Sequence, residues 1–424
     1  MTSRNRFVAI LMALTLTLTF AHALAGSHSE APPQVLFKNV NVFDGVNEAR
    51  IENASVLVEG NLIKTISTDA IDAPGATVVD GGGRTLLPGF IEGHAHLMLM
   101  GPTLPAMEAG TTWEDFAIHG ARMAEMYLMQ GFTTVRDAGG ANGGLRRAID
   151  AGQIPGPRFY PSGAFLGTRG GHADFANFTA PPGGSTNMGR LNLSQEINGP
   201  DDALKFGRNN FRMGATQLKF MISGGVVSAF DPWQLLAGSQ AEIEAAVQVA
   251  SEYGSYVMAH AYRKEAIMNA LNAGVRSIEH GFSFDCDIAK VMKKKNAYIT
   301  TNLTAFDPGL LDIPAVANVP ASLAKAKSAS KTFGNYIENM KKCPVKRAFQ
   351  TDCVGSVEAC NIQIAYEKHL NNKFFGPYTS LVTMTSVGGE LVALSGDFVN
   401  PCLLYTSDAA DEFCHGVLGV GGGG

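Results

Sequence analysis

The chain has 424 residues, 46% of them hydrophobic and 48 of them glycine, enough for one large barrel or two ordinary domains, and disorder is excluded for most of its length. A formal net charge of -5, with no basic run longer than Lys293–Lys295, leaves no footprint for a nucleic-acid partner. Six cysteines are too sparse for a disulfide scaffold and none stands in a Cys-x-x-Cys arrangement, so neither a cysteine zinc site nor a redox motif is expected, and pairing is not legible from sequence.

In chain order, Arg4 and Arg6 precede an apolar run from Phe7 to Phe20 and small residues around Ala21–Ala25, the pattern of a signal peptide. Residues 1–25 are expected to be removed, leaving a mature chain that starts near Gly26 and is exported, periplasmic or secreted. The run is shorter than the roughly 20 residues a spanning helix needs, so no membrane attachment is expected after cleavage.

From 33 to 86 the stretches VLFKNVNVFDG, SVLVEGNLIKTIS and ATVVDGGGRTLLPG alternate apolar and polar residues between turn formers, which predicts a small β domain. From 87 to 401 the rhythm changes. Short apolar or β-branched runs, ending at GHAHL, TTVRDAGG, FYPSGAFLG, QLKFMISGG, YVMAHAY, SIEHG, YITTNLT and RAFQTD, are separated by helical patterns such as SQAEIEAAVQVASEYG and RKEAIMNALNAG. Eight such strands with helical crossovers predict an α/β fold, a (β/α)8 TIM-like barrel. The stretch Ala173–Asp201, rich in Gly, Pro, Asn and Ser, is expected as a loop over the barrel's upper face, where it would shape substrate access.

His94 and His96 stand one residue apart, and strand alternation turns both rings to one face. Lys219, His260, His280 and Asp352 lie at the ends of later strands, and in a parallel barrel those ends converge on one site. Imidazole and carboxylate donors without thiolate suit a hard-to-borderline divalent ion, zinc first. A free Lys219 ammonium would be repelled by such ions. A buried lysine has a lowered pKa, however, and its neutral amine can take up carbon dioxide to give an anionic carbamate; a lysine merely paired with Asp352 in a one-metal site is the competing reading. His119 and His369 are expected at the helix surface, Arg136 and Asp137 as a structural pair at the second strand's end, and Lys293–Lys295 at a solvated helix end.

Taken together, LVEGNLIKTIS, GGRTLLPGFIEGHAHL, GFTTVRDAGG, GGHADF, LKFMISGGVVS, VMAHAY, GVRSIEHG and AFQTD resemble the amidohydrolase superfamily of metal-dependent hydrolases, and within it the imidazolonepropionase-like and Xaa-Pro dipeptidase-like branch. The resemblance spans roughly Val35–Asn400. It implies a barrel holding one or two metals beside a small β-sandwich made from both chain ends. It also implies that His94 and His96 bind the more buried metal, that carbamylated Lys219 bridges two divalent ions, and that His260 and His280 bind the second. Asp352 would ligate the first metal and shuttle protons while a metal-bridging hydroxide attacks the amide carbonyl. His172, in GGHAD, and Tyr262, just after His260, are candidates to hold substrate oxygens or a terminal carboxylate, with loop packing as the alternative.

The small-molecule substrate implied is a dipeptide or N-acyl amino acid. The alternatives are a cyclic-amide hydrolase of the imidazolonepropionase type, which typically lacks the bridging lysine, and a non-catalytic exported metal-binding protein. A homo-oligomer is compatible with the sequence. The C-terminus departs from the family pattern: Cys402–Glu412, CLLYTSDAADE, reads as a translated sequencing adapter, so 402–424 is expected to be a non-native tail standing where strands should complete the small domain.

Overall fold

The computed structural model describes residues 32–396, apart from 101–103, 229, 306, 308–310 and 312–319, together with residues 419 and 420. The expected signal peptide and nearly all of the expected foreign tail lie outside the described residues. No helix among the described residues is long and apolar enough to cross a membrane.

The N-terminal segment builds one mixed sheet. Strand β1 (Gln34–Val42) pairs antiparallel with β2 (Ile51–Glu59), which turns at Gly60 into antiparallel β3 (Leu62–Ser67). β4 (Thr77–Asp80) and β5 (Thr85–Leu87) run parallel to β1. Their alternation delivers Val40, Val42, Ala54, Val56 and Leu86 to a core of their own. Gly419–Val420 lies antiparallel to the edge strand β5. The expected loss of the sandwich's C-terminal half concerns residues that lie, but for 419 and 420, outside the described ones.

Parallel strands follow. β6 (Phe90–Ala95), β7 (Phe132–Asp137) and β8 (Arg158–Tyr160) form one arc. A second arc contains β9 (Phe165–Gly167), β10 (Ser194–Glu196), β11 (Leu218–Met221), β12 (Val257–Ala261), β13 (Ser277–His280), β14 (Tyr298–Thr300) and β15 (Arg347–Ala348). The run read as a single third strand is therefore two short strands, because Pro161 has no N–H to donate and the chain bends through Ser162 and Gly163 (φ 72°). The stretch 173–201 is also more than a loop: it holds the helical turn Asn187–Arg190 and β10, which pairs parallel with β9.

Backbone bonds link the arcs at both junctions. Thr216 N donates to Pro161 O at 2.7 Å, and Gly93 N donates to Phe349 O at 2.8 Å. Only glycine allows the second approach, since a Cβ at position 93 would lie 2.6 Å from the Phe349 carbonyl oxygen. β11, β12 and β13 are buried at every residue, as strands covered on both faces must be.

The crossover helices are marked by local chemistry. Thr112 and Asp115 form a capping box at the start of Trp113–Met129, as do Ser239 and Glu242 for Gln240–Glu252. Lys264–Ala273 stops at Gly274 in the left-handed conformation, and Cys286–Lys295 ends in Lys293–Lys295 before left-handed Asn296, as the basic run predicts. Ile267, Leu271, Ile278 and Ile288 join the largest core cluster, each side chain contributing about 1.5–3 kcal/mol on burial. His119 departs from expectation. It is buried on the stripe of Trp113–Met129 that also carries Phe116 and Met123, three and four residues away.

Candidate metal centre

The C-terminal ends of the parallel strands bring the expected residues together. His94 on β6 and His96 just past its end both turn Nε2 toward one oxygen, Asp352 Oδ1, at 3.3 and 3.1 Å. His280 closes the group, with Nδ1 3.8 Å from Asp352 Oδ2 and its ring centroid 5.0 Å from that of His94. His260 stands between the rings of His280 and His172, at 4.5 and 4.3 Å, and its Nε2 lies 3.0 Å from Gly224 O. Lys219 Nζ is fully buried and 3.2 Å from His94 Nε2. Tyr262 stacks on Phe282 at 4.0 Å, with its ring 4.4 Å from His260.

The backbone at this rim departs from the usual regions at two of the candidate ligands. Six non-glycine residues among those described have φ in the left-handed region. Four are asparagines, which tolerate it; the others are His280 (φ 71°) and Asp352 (φ 54°). The twist at His280 has a direct consequence. Strand alternation would send neighbours 279 and 280 to opposite faces, yet both side chains reach the surroundings of His94.

Glu279 was not singled out by the sequence, and it organises the site. Its Oε2 accepts the His94 Nδ1 proton at 2.6 Å, which assigns the tautomer and leaves the Nε2 lone pair facing Asp352. Burial opposes a charge on Glu279, but Arg136, His94 and Lys219 around it hold its carboxyl far below the usual carboxylate range. Arg136 is fully buried and donates to both Glu279 oxygens at 3.0 and 3.1 Å, to Gly93 O, to Tyr256 and to Ser277. The expected Arg136–Asp137 pair is therefore wrong. Adjacent strand residues face apart, and Asp137 instead accepts from Gly139 N and Ala141 N.

Burial is the first cause of the other shifts. It lowers Lys219 to about 8, against the pull of Glu279 and Asp352. It also lowers His280 to about 3 and His172 to about 4, and moves His94 and His260 down from the ordinary imidazole value. Asp352 behaves oppositely: burial would raise it, but His94, His96 and His280 hold it well below the normal range. Neutral imidazoles and an ionised carboxylate are the protonation states a cation requires. His94, His280 and Asp352 place ligand atoms within 4.8 Å of one another, so nitrogen and oxygen donors without thiolate form a candidate site for a divalent ion.

Further partners surround these groups. Gln350 Nε2 lies 3.2 Å from His280 Nδ1 and donates to Asn302 Oδ1, while Asn302 Nδ2 donates to Asp352 Oδ2 at 3.4 Å. Asp231 accepts from Gly225 N and stands 3.8 Å from His172 Nδ1. A Cβ at Gly225 would lie 2.0 Å from the His172 ring, so glycine there is what admits the ring. Of these, Glu279 had a visible signal, a carboxylate beside a strand-end histidine; Asn302, Gln350 and Asp231 had none.

Parallel strands whose ends gather histidines, a lysine and an aspartate make a candidate site for a divalent ion. The amidohydrolase family model matches residues 85–390, and the chain belongs to the amidohydrolase family. It is accordingly a hydrolase acting on C–N or peptide bonds. It is 28% identical to an Aspergillus niger ochratoxinase over 344 residues, 75% of this chain and 69% of that protein. Among solved structures it resembles a prolidase complexed with N-methylphosphonate-L-proline, at 30% identity and TM-score 0.79 over 87% of this chain and 90% of the other. A Xaa-Pro dipeptidase with methionine in its active site matches at 25% identity and TM-score 0.74, over 85% and 89%.

Proposed function

We propose that this chain is a two-metal hydrolase that cleaves the amide bond of dipeptides or N-acyl amino acids, with the two parallel arcs closed as one eight-stranded barrel. The observation that carries this reading is Lys219, fully buried with its amine 3.2 Å from a rim histidine. A lysine there has no use for a permanent charge; as a neutral amine it can add to carbon dioxide and release one proton, becoming an anion that two cations share. His94, His96 and Asp352 would hold one ion, His260 and His280 the other, and carbamylated Lys219 both. Two divalent ions, zinc first, supply Lewis-acid polarisation of the carbonyl and a water of lowered pKa.

The remaining chemistry belongs to side chains. Asp352 is the proton carrier. It is 25% exposed while the rim histidines are 5% or less, so its carboxylate alone among the ligands also faces an incoming substrate. It takes a proton at the start of the reaction and returns one to the leaving amine. His172 and Tyr262 bind the substrate's terminal carboxylate or carbonyl oxygen. The buried polar atoms Asp231 Oδ1 and Trp233 Nε1 have no hydrogen-bond partner among the described residues, and Val226, Trp233, Tyr262 and Phe282 form an apolar cluster there. A half-apolar, half-polar molecule such as a dipeptide fits that lining.

Similarity to the prolidase and the Xaa-Pro dipeptidase supports a dipeptide, and similarity to the ochratoxinase supports a wider choice of amide. Two disulfides, Cys286–Cys343 and Cys353–Cys360, support the proposed export to an oxidising compartment. The test is zinc stoichiometry in bicarbonate together with hydrolysis of a dipeptide and N-acyl amino acid panel, for the wild type and Lys219→Ala. Two zinc per chain, with activity lost in the variant, is the expected result. One zinc with an active variant overturns it in favour of a cyclic-amide hydrolase. Metal binding without turnover of any amide points instead to a non-catalytic protein.

A further inference from the structure

We propose that the Cys353–Cys360 disulfide is a positioning clamp for Asp352, holding the loop after the last parallel strand so that the carboxylate stays against the rim histidines. The inference rests on the reading of Asp352 as proton carrier.

Asp352 sits in a stretch, 349–356, with no helix or strand of its own. On its N-terminal side the loop is tied by several hydrogen bonds, among them one between the Tyr127 and Thr351 hydroxyls at 2.9 Å. Thr351 N donates to Glu92 at 3.0 Å, Gln363 Nε2 donates to Thr351 O at 2.8 Å, and Asp352 N donates to His94 O at 2.9 Å. On its C-terminal side the situation differs. Val354 is 41% exposed, and Gly355 (φ 147°) has nothing within 4 Å of where a Cβ would stand. Order resumes only at Ser356, whose hydroxyl accepts from Ala359 N and caps the helix Val357–Phe375.

Between the strained aspartate and that open turn stands Cys353. Its sulfur is bonded to Cys360 in the first turn of the helix, and both cysteines are buried in the cluster that also holds Met98, Phe116, Met123 and Ile364. The bond therefore transmits the position of a packed helix to the residue next to Asp352. Without it, the left-handed conformation at Asp352 would be held from one side only, and relaxation toward the right-handed regions would swing the carboxylate away from His94 and His96.

The second disulfide shows that this is not simply a staple against unfolding. Cys286–Cys343 spans 57 residues and joins the start of one helix to the end of another, whereas Cys353–Cys360 spans 7. A cross-link restrains the unfolded chain more the longer the loop it closes, so the short one has the smaller role there. Its distinguishing feature is its neighbour in the chain.

The experiment compares Cys353→Ala/Cys360→Ala with Cys286→Ala/Cys343→Ala and with Asp352→Asn, reading kcat and KM on the best substrate of the panel, thermal midpoint, and amide hydrogen exchange over residues 349–356. Expected for the first pair is a fall in kcat of about 10- to 100-fold with KM within about threefold, and faster exchange over 349–356. Expected for the remote pair is a larger fall in thermal midpoint with kcat unchanged. Wild-type kcat and wild-type exchange in the first pair overturn the clamp, as does an equal loss of kcat in the remote pair. Full activity in Asp352→Asn overturns the proton-carrier reading separately, and exchange over 349–356 then still reports whether the disulfide orders the loop. If the alanine pair does not fold, Cys353→Val/Cys360→Ala, which refills part of the buried volume, puts the same question.

Discussion

The N-terminal sheet and the rim of the parallel strands handle backbone strain in opposite ways. In the sheet, the left-handed residues are Asn39 and Asn53, beside register shifts in the β1–β2 pairing, where the residue type suits the conformation. At the rim they are His280 and Asp352, whose side chains face the candidate site and are hydrogen-bonded by Asn302 and Gln350. One region is consistent with itself residue by residue. The other gives up local ease for a site, and its neighbours must stabilise the difference.

That contrast yields predictions that separate activity from stability, the largest first. Asp352→Asn should lower kcat/KM by about 10²–10⁴-fold while the thermal midpoint stays near wild type; an equal collapse of the midpoint would make Asp352 a fold residue. Glu279→Gln should cost about 3–5 kcal/mol in urea unfolding, because Arg136 is left buried without its counter-charge. It should also weaken zinc binding by about 10–100-fold, read by chelator competition, and unchanged zinc affinity would detach Glu279 from His94.

Leu86→Ala tests the other region. It should cost about 2 kcal/mol by opening the small sheet's core, with kcat unchanged in a steady-state assay. A matching loss of kcat would show that the two regions are coupled. A pH-dependent effect concerns Glu367, which accepts from Leu303 N and Thr304 N beneath the rim and which burial pushes up to about 7. The folded chain then holds this proton more tightly than the unfolded chain, whose carboxyl titrates near 4.5. Stability should therefore decline as pH rises from 4.5 toward 7, and Glu367→Gln should flatten that slope in urea midpoints taken across the range.

Much of the site was legible before the fold was seen. His94 and His96 announce themselves by their spacing, and Lys219, His260, His280 and Asp352 by their places in or just beyond apolar runs. The supporting groups were not, for reasons visible in particular residues. Glu279 and His94 are 185 positions apart, and Arg136 and Glu279 are 143 apart, so no local pattern connects them. His119 could have been read as buried from its spacing to Phe116 and Met123, but an ionisable side chain on a helix does not by itself suggest it. Arg136 and Asp137 look like a pair only in one dimension, since a pleated strand points them apart.

The sequence by itself determined what depends on short-range physics: alternation in the strands, capping boxes and left-handed stops on the helices, and which residue types stand where strands end. Tertiary structure alone decided which strand end meets which, that Glu279 rather than Asp137 takes the Arg136 charge, that Cys353 pairs with Cys360, and that two rim residues adopt left-handed backbone. Periodicity is written by neighbours within a few positions. Partnership across the rim depends on closing long loops and on the balance of burial against charge, and those are properties of the whole folded chain.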